Sequence, residues 1–375
     1  MIRIVCGELV TGKILATVPT TDNGGAWSTV LNDAGTIDAT VPLRTRDVRA
    51  RRELLGYLEP TRCYLAAITD DGDVLEAGPI WKHGFNDNTG ELKVGAAGLM
   101  SVFDHRLVVK VLAAGERAQT TTLSWSGLSL ATIAKRLIQT SMSHAGGSLP
   151  LVLPDDELGS AVRNYPGYEL GVVGERVRQL VEVAGGPDIA LQPRLTGDGL
   201  RIEWVMRAGT TADPLLHQAG DDWAWDRGAA RGPLTKLSVD VDATGVAQRT
   251  WAIGSGMESA LMLGTAYDPA PLAAGYPLLE ATGSFTSVLE QSTLDAHAAA
   301  LADTARRPWQ TWALTVRADT APRLGTYRPG DWARVHVPAT HEYLREGRYR
   351  SRVLSVSGDL SASVSVKLAP TMENR

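Results

Sequence analysis

The sequence predicts a mainly β protein with an α+β middle section, in which two β-barrel-like domains flank a helix-containing domain. Three observations carry this prediction. Apolar residues alternate with polar ones in the first and last parts of the chain, helical spacing appears between them, and Gly- and Asp-rich turns separate the alternating runs. The predicted domains are 1–110, 111–232 and 233–375. With 375 residues, 44% hydrophobic and 21% charged, the chain has the composition of a folded protein of more than one domain.

The first predicted domain begins at once with a strand, because Ile2, Ile4 and Cys6 fall on one face. Asp70-Asp71-Gly72-Asp73 predicts a hairpin, since Asp-Gly supplies the positive φ that such turns need. The strands around these signals form one meandering antiparallel domain. Further strands are predicted near 36–42, 62–69, 73–83 and 91–94.

The middle domain carries two amphipathic helices. Ser129 is the predicted N-cap of the first, and Gly185-Gly186-Pro187 ends the second. A strand at 200–207 follows them. The residues that recur at helical spacing are Leu130, Ile133, Ala134, Leu137 and Ile138 in the first helix, and Val173, Val177, Leu180 and Val181 in the second.

The last domain returns to strands and contains an inserted helix near 292–306. Ser292-Thr293-Leu294-Asp295 resembles a capping box at its start. The apolar stripe of this helix is Leu294, Ala298, Leu301, Ala302 and Ala305. We leave open an exchange of strands between the first and last barrel-like domains. Four closing strands are predicted near 310–317, 331–337, 348–357 and 361–368.

A short internal similarity suggests a duplication. Gly56-Tyr57-Leu58-Glu59-Pro60 and Gly325-Thr326-Tyr327-Arg328-Pro329 share the pattern G-x-x-x-P, and each precedes a predicted pair of strands. If it is real, the chain holds two similar β-barrel-like domains. Chance resemblance stays the alternative, because the shared pattern is short.

Charge, hydropathy and cysteine content limit the classes of function that the chain can have. The net charge of −5 and the pI near 5.8 do not favour a nucleic-acid binder with a broad basic surface. No run approaches the roughly 20 apolar residues of a membrane span, so we expect no membrane insertion. Cys6 and Cys63 both fall in predicted strands, and we expect two buried thiols. A bridge between them is the alternative.

We predict no catalytic residue, no metal site and no cofactor, because the sequence carries none of the common motifs. The chain has no H-E-x-x-H, no G-x-S-x-G and no Walker-type loop. Asp70, Asp71 and Asp73 could supply oxygen ligands to Ca²⁺, but the EF-hand register and its distal Glu are missing, and we favour a hairpin turn. Asp155-Asp156-Glu157 and Asp221-Asp222 are interpreted as solvated loops. A catalytic carboxylate pair stays open, because its members can come from anywhere in a chain.

A run of arginines and a pair of tryptophans each have a functional and a structural interpretation. Arg44, Arg46, Arg49, Arg51 and Arg52 could bind phosphate, although Asp47 and Glu53 within the run favour a solvated or subunit-facing segment. Trp223 and Trp225 share a face of a predicted strand. They form either a sugar-binding platform or packing at a domain junction.

Taken in order, a set of short motifs resembles the minor tail proteins of long non-contractile-tailed phages, especially those of actinobacteria. That group is similar to the baseplate hub proteins of contractile phages and to the N-terminal hub region of tail-associated lysins. The resemblance spans nearly the whole chain, and no motif in it is a catalytic signature. The motifs are Leu31-Asn32-Asp33-Ala34-Gly35, Ala39-Thr40-Val41-Pro42-Leu43, Gly78-Pro79-Ile80-Trp81, Tyr165-Pro166-Gly167-Tyr168, Gly185-Gly186-Pro187-Asp188-Ile189, Ile202-Glu203-Trp204 and Tyr327-Arg328-Pro329-Gly330-Asp331.

The resemblance implies a structural, non-enzymatic role at the tail tip of the virion. Hub proteins of this kind are homotrimers whose two barrel-like domains per chain form a pseudo-sixfold ring. Such a ring joins a sixfold tail tube or distal tail protein to a threefold central spike or fibre. Its channel would hold the end of the tape-measure protein and later pass DNA.

The resemblance also leaves alternatives. Tail-associated lysins carry a hydrolase after the hub, whereas the last predicted strand here ends at Leu368, so we expect no such module. A receptor- or carbohydrate-binding tail-tip protein and a cell-wall hydrolase stay open as alternative functions.

Overall fold

The computed structural model describes residues 2–22, 24–49, 52–183, 185–256, 258–285 and 291–369. They form two compact units. Unit 1 comprises Met1–Leu237 and Ala313–Arg375, and unit 2 comprises Ser238–Trp312. The mainly β fold class is confirmed, whereas the predicted division at residues 110 and 232 stays a prediction. No helix among the described residues is long and apolar enough to cross a membrane.

The first half of unit 1 contains the strands predicted for residues 1–110, and the structure adds β3, β8, β9, β10 and β11, which were not predicted. The strands are β1 (Ile2–Glu8), β2 (Ile14–Thr17), β3 (Gly25–Val30), β4 (Thr36–Pro42), β5 (Cys63–Thr69), β6 (Val74–Asn86), β7 (Glu91–Ala97), β8 (Thr122–Leu128), β9 (Leu151–Val152), β10 (Ala161–Pro166), β11 (Ile189–Leu195), β12 (Ile202–Ala208) and β13 (Trp223–Asp226).

The later strands complete unit 1 and build unit 2, whose limits fall inside β14 and β18. They are β14 (Leu234–Asp242), β15 (Arg249–Ile253), β16 (Leu263–Tyr267), β17 (Glu280–Ser284), β18 (Trp309–Arg317), β19 (Trp332–Val337), β20 (Gly347–Asp359) and β21 (Ser363–Leu368).

Helices are few and mostly short. The α-helices are α1 (Arg46–Arg49), α2 (Met100–Phe103), α3 (Leu130–Met142), α4 (Val173–Glu182), α5 (Ala270–Ala273) and α6 (Gln291–Ala305). The 3₁₀ helices are Arg52–Leu58, Ala118–Thr120, Gly167–Glu169 and Glu258–Ala260.

The large sheet of unit 1 joins the beginning of the chain to its end. Its hydrogen-bonded order is β21-β20-β3-β4-β7-β6-β5-β1-β2, with β19 on β20 and β13 on β19. Ser355 pairs with Val30, and Asp359 pairs with Ala26. The Trp27 indole Nε1 donates to the Asp359 carbonyl at 3.1 Å. The early and late strands therefore share one sheet, as the open possibility of strand exchange allowed.

Both faces of β5 are buried, which explains why it is apolar throughout. Cys63 and Leu65 enter one core cluster, and Tyr64 and Ile68 enter a second on the opposite face. Alternation of side chains along a strand produces this division. The two faces hold separate cores, and β5 is the wall between them.

Cys6 and Cys63 are free thiols, both buried in the same core cluster. Burial, together with the nearby Cys63, raises the pKa of the Cys6 thiol to about 12. The prediction of two buried thiols is confirmed.

The two predicted helices of the middle section are α3 and α4. Ser129 caps α3 by accepting from the Thr132 amide at 3.1 Å. The predicted apolar residues Ile133 and Leu137 are fully buried, as is Val177 on α4. Helical spacing identified these faces because the sides turned away from the core are polar.

Trp204 on β12 anchors the β11–β12 hairpin against the large sheet. Its indole Nε1 donates to the Ala77 carbonyl at 3.0 Å, and its ring meets Tyr64 edge to face at a centroid distance of 5.8 Å. Tyr64 in turn donates to the Gly12 carbonyl. Gly12 has φ +69° and approaches Ile202 so closely that a Cβ would lie 2.0 Å from its carbonyl oxygen. Glycine is required there.

Unit 2 is a three-stranded sheet in the order β16-β15-β17, packed against α6. Its core cluster consists of Ala252, Leu294 and Ala298, so the predicted apolar stripe of α6 is confirmed at its first two positions. The Thr250 hydroxyl donates to the Ala298 carbonyl at 2.8 Å. Thr293, within the predicted capping box, has a side chain outside the described part of the chain.

We expect Trp204→Ala to lower the free energy of unfolding by about 3–5 kcal/mol, because it removes a fully buried indole and leaves the Ala77 carbonyl unpaired. Urea unfolding followed by circular dichroism measures the loss. Trp309→Ala is the control, since Trp309 is 57% exposed and should change stability by less than about 0.5 kcal/mol. Equal losses in the two variants would contradict the assigned role of Trp204.

Candidate functional site

A buried carboxylate joins three distant parts of unit 1. Asp188, just before β11, accepts from Asn32 Nδ2 at 2.8 Å, from the Leu216 amide at 2.9 Å and from Arg352 Nη2 at 2.5 Å. Asn32 Oδ1 accepts from the Ile189 amide at 2.8 Å, so both ends of the amide are used. Asn32 has φ +64°, a conformation that Asn tolerates better than most residues. We call Asp188, Asn32 and Arg352 the polar junction.

Arg352 on β20 extends the polar junction to two loops. Besides Asp188, its Nη2 donates to the Leu216 carbonyl at 2.8 Å and to the Gly330 carbonyl at 3.1 Å. Its guanidinium lies over the Trp332 ring, 5.7 Å from the centroid. The side chains of Arg352 and Asp188 are only 12% and 6% exposed, so this is a buried ion pair with additional hydrogen bonds. Such bonds are what a buried ion pair needs in order to be stable.

Asp331 organises the loop that precedes β19. Its Oδ2 accepts from Trp223 Nε1 at 3.0 Å and from the Arg328 amide at 2.9 Å. Burial raises the pKa of Asp331, and the hydrogen bond from Trp223 opposes that rise. The Tyr327–Asp331 motif therefore has a structural role, since its last residue holds the loop against β13.

The two tryptophans of β13 are used in packing. Trp225 is 1% exposed and meets Tyr327 edge to face at 5.3 Å, while Trp223 donates to Asp331. Neither the Trp225 indole nitrogen nor the Tyr327 hydroxyl has a hydrogen-bond partner among the described residues. This arrangement corresponds to the junction-packing interpretation, because a sugar platform needs an exposed ring face.

A narrow cleft of about 50 Å³ lies beside the polar junction. Glu76 of β6 lies in its wall and is 5% exposed. Burial raises the pKa of Glu76 to about 8, although the Ala77 amide, the Thr29 side chain and the Arg328 charge oppose the rise. The polar and aromatic residues that line the cleft are Trp27, Asp33, Glu76, Gln192, Arg207, Tyr327 and Arg328.

Other candidate residues lie apart from this site. Asp70 to Asp73 form the β5–β6 hairpin, where Gly72 has φ +90° and the Asp73 amide donates to Thr69 Oγ1. Arg323 lies 3.8 Å from Asp71. No group of three or more His, Cys, Asp and Glu side chains in the described part of the chain is placed to hold a metal ion. The geometry at Gly72 and Asp73 is that of the predicted turn.

The arginine run is described only in part. Arg44 donates to the backbone carbonyls of Asp87 and Asn88. Arg51 and the side chains of Arg49 and Arg52 lie outside the described residues. The phosphate-binding interpretation of the run stays open.

Two acidic loops interpreted as solvated carry specific ion pairs, so that interpretation is wrong for one residue in each. Asp222 lies between Arg334 and Arg350, with Oδ2 2.7 Å and 2.8 Å from their Nε atoms. Arg350 is the largest cause of its lowered pKa. Asp156 binds Lys135 and Arg136 of α3. A sequence does not show these partners, because the arginines of Asp222 are more than a hundred residues away.

The polar junction and Glu76 were not predicted from the sequence, although each leaves a weak signal in it. Glu76 is the single charged residue in the apolar run Val74–Ile80. Asp188 follows Gly185-Gly186-Pro187, which was interpreted only as the end of a helix. A lone carboxyl in an apolar run is the pattern that marks a buried acid.

The fold is shared with tail proteins of known structure. No protein-family model matches the chain, and no curated protein sequence matches it significantly. Among solved structures, a 43 kDa tail protein of prophage MuSo2 from Shewanella oneidensis is similar over 98% of both chains, with 9% identity and a TM-score of 0.60. A tail protein from Neisseria meningitidis MC58 is similar over 99% of this chain and 97% of its own, with 15% identity and a TM-score of 0.56.

A third structure shares the fold to the same extent. The prophage tail protein gp18 from Listeria monocytogenes covers 99% of this chain, which in turn covers 95% of gp18, with 10% identity and a TM-score of 0.51. At these identities the likeness establishes a shared fold. It extends over nearly the full length of these three chains.

We expect Asp188→Ala to lower the free energy of unfolding by about 3–5 kcal/mol, because it leaves the Arg352 guanidinium buried without its carboxylate. Adding Arg352→Met should recover part of the loss, since the unpaired charge is then removed. Chemical unfolding of the two variants measures both effects. Asp319→Ala is the control for an exposed pair with Arg317 and should leave stability nearly unchanged. Strictly additive effects at Asp188 and Arg352 would contradict their coupling.

Glu76 makes stability depend on pH. Its pKa rises from the usual 4.5 to about 8 on folding, so between these values the folded chain holds a proton that the unfolded chain has released. Its contribution is full below pH 4.5 and falls by about 1.4 kcal/mol per pH unit as the pH rises towards 8.

We therefore expect Glu76→Gln to be closer to the wild type at pH 5 and more stable than it at pH 9. Urea unfolding of both proteins at the two pH values measures the difference. A difference that is the same at both pH values would contradict a buried, protonated Glu76.

Proposed function

We propose that this chain is a structural component of a phage tail and forms a homotrimeric hub at the tail tip. The hub would join the sixfold tail tube or distal tail ring to a threefold central spike or fibre. The observation that carries the proposal is the fold shared with three tail proteins over 98–99% of this chain. A match from end to end includes both the early and the late strands.

The strand arrangement supports a pseudo-sixfold ring built by three chains. The two G-x-x-x-P segments each precede an antiparallel pair, β5–β6 after Pro60 and β19–β20 after Pro329. Both pairs belong to the large sheet, and β6 and β20 are both 13 residues long. Three chains that each carry two related hairpins would offer six similar positions around a threefold axis.

The described site supports a structural role rather than a catalytic one. The polar groups at this site are hydrogen-bonded within the protein. Asp188 accepts from three donors, and Asp331 accepts from two. Groups used in this way hold loops in position and are not free to act on a substrate. The channel of the proposed ring would enclose the end of the tape-measure protein and later pass DNA.

Light scattering after size exclusion tests the trimer at two concentrations of the full chain. We expect a mass of roughly 120 kDa, three times the 40.1 kDa of one chain, since a closed ring does not grow further. The mass should be the same at both concentrations. A species of one chain mass, or a mass that rises with concentration without a limit, would contradict a self-closing ring.

A further inference from the structure

Glu76 holds a fixed carboxyl group in the wall of the cleft beside the polar junction. Its Oε1 accepts from the Ala77 amide at 3.0 Å, and the Thr29 side chain also hydrogen-bonds to the carboxyl. A Cβ at Gly35 would lie 2.2 Å from Glu76 Oε2, and a Cβ at Gly98 would lie 3.0 Å from Oε1. The two glycines therefore leave room for the carboxyl, and its hydrogen bonds fix its position.

Arg328 reaches the same cleft from the loop before β19. Its guanidinium has five N–H donors, and the side-chain oxygen of Gln192 accepts from it. Burial raises the pKa of Glu76 and lowers that of Arg328, and each charge opposes the shift of the other, so the two charges lie near one another. No ion pair within 4 Å joins these two described side chains. A separation of this kind leaves space for a bridging molecule.

The cleft and its surroundings carry charges of both signs. The carboxyl groups belong to Asp33, Glu76, Asp73 and Asp331, and the guanidinium groups belong to Arg178, Arg207 and Arg328. A bound anion would meet carboxyl groups, and a bound cation would meet guanidinium groups. A neutral molecule that both donates and accepts hydrogen bonds suits such a lining.

The size of the cleft limits the ligand to very small molecules. Its volume is about 50 Å³, and one buried water needs on the order of 10–15 Å³ of such volume, so about three waters fit. The apolar part of the lining encloses the site, because its large side chains are at most 8% exposed. They are Trp27, Leu99, Leu216, Leu324 and Val356.

We propose that this cleft is a hydration site, in which about three ordered water molecules bridge the Glu76 carboxyl to the guanidinium groups of Arg207 and Arg328. Each water accepts from a guanidinium N–H and donates to the carboxyl or to a further water. The bridge connects β6, early in the chain, to β12 and to the loop before β19. It forms a second polar connection between early and late parts of unit 1, separate from the polar junction at Asp188.

A high-resolution crystal structure of the full chain tests the proposal directly. We expect two or more water peaks in the cleft, with at least one within about 2.7–3.2 Å of Glu76 and another at that distance from Arg328. A second crystal soaked in bromide distinguishes water from a bound anion by anomalous scattering. Direct contact between Glu76 and Arg328 with no density between them would overturn the proposal, and so would a bromide peak in the cleft.

Variants test which groups hold the waters. Glu76→Gln should keep the water peaks, because an amide still donates and accepts, whereas Arg328→Met should lose the peaks beside residue 328. Tyr327→Phe is the matched control. Tyr327 lines the same cleft, but its hydroxyl is enclosed and has no hydrogen-bond partner among the described residues, so its removal should leave the waters in place. Equal loss of water in Tyr327→Phe and Arg328→Met would contradict a bridge through the guanidinium.

Oxygen-17 magnetic relaxation dispersion counts long-lived waters in solution and covers variants that do not crystallise. The wild type should hold at least one more such water than Arg328→Met, and equal counts would overturn the proposal. If Arg328→Met does not fold, the structure of the wild type alone decides. None of these measurements depends on the oligomeric state, so this proposal and the trimeric hub can fail independently.

Discussion

The buried carboxylate of Asp188 is the interaction on which the arrangement of unit 1 depends. Its three donors come from the turn after β3, from the loop at Leu216 and from Arg352 on β20. An unpaired charge in that position would cost several kcal/mol, on the order of 3–5, so these segments must come together as the chain folds. The pairing of β20 with β3 also requires distant segments to come together. Trp27 and Asp359, which it joins by a hydrogen bond, are 332 residues apart in the chain.

Local structure could be predicted from the sequence, and long-range structure could not. The spacing of Ile133 and Leu137 gave α3, and Asp71-Gly72 gave the β5–β6 hairpin, because these signals lie within one element. Seven strands were not predicted from the sequence, namely β3, β8, β9, β10, β11, β16 and β17. The β3–β20 pairing was left open, since no pattern identifies a distant partner. Several motifs behind the family resemblance supply polar-junction and loop contacts, among them Asn32, Asp188 and Asp331. The family resemblance depended on the order of these motifs along the chain, because each motif alone is too short to be specific.

The two units differ in net charge, in the size of the core and in the apolar groups that they expose. Unit 1 is neutral, its β5 is buried on both faces, and its polar groups are paired with one another. Unit 2 is acidic, has a small core and keeps apolar groups exposed. A scaffold needs the first set of properties, and a recognition element needs the second. The hub proposal gives unit 1 the scaffold role. The conserved feature across the compared tail proteins is the fold, since only 9–15% of residues are identical.

The position and copy number of this chain in a phage particle test the central claim most directly. Electron cryo-microscopy of tails assembled with the chain, combined with quantitative mass spectrometry, measures both. The hub proposal predicts three copies at the tip, arranged around the threefold axis between the tube and the central fibre. Absence from purified particles, or repetition along the length of the tube, would contradict it.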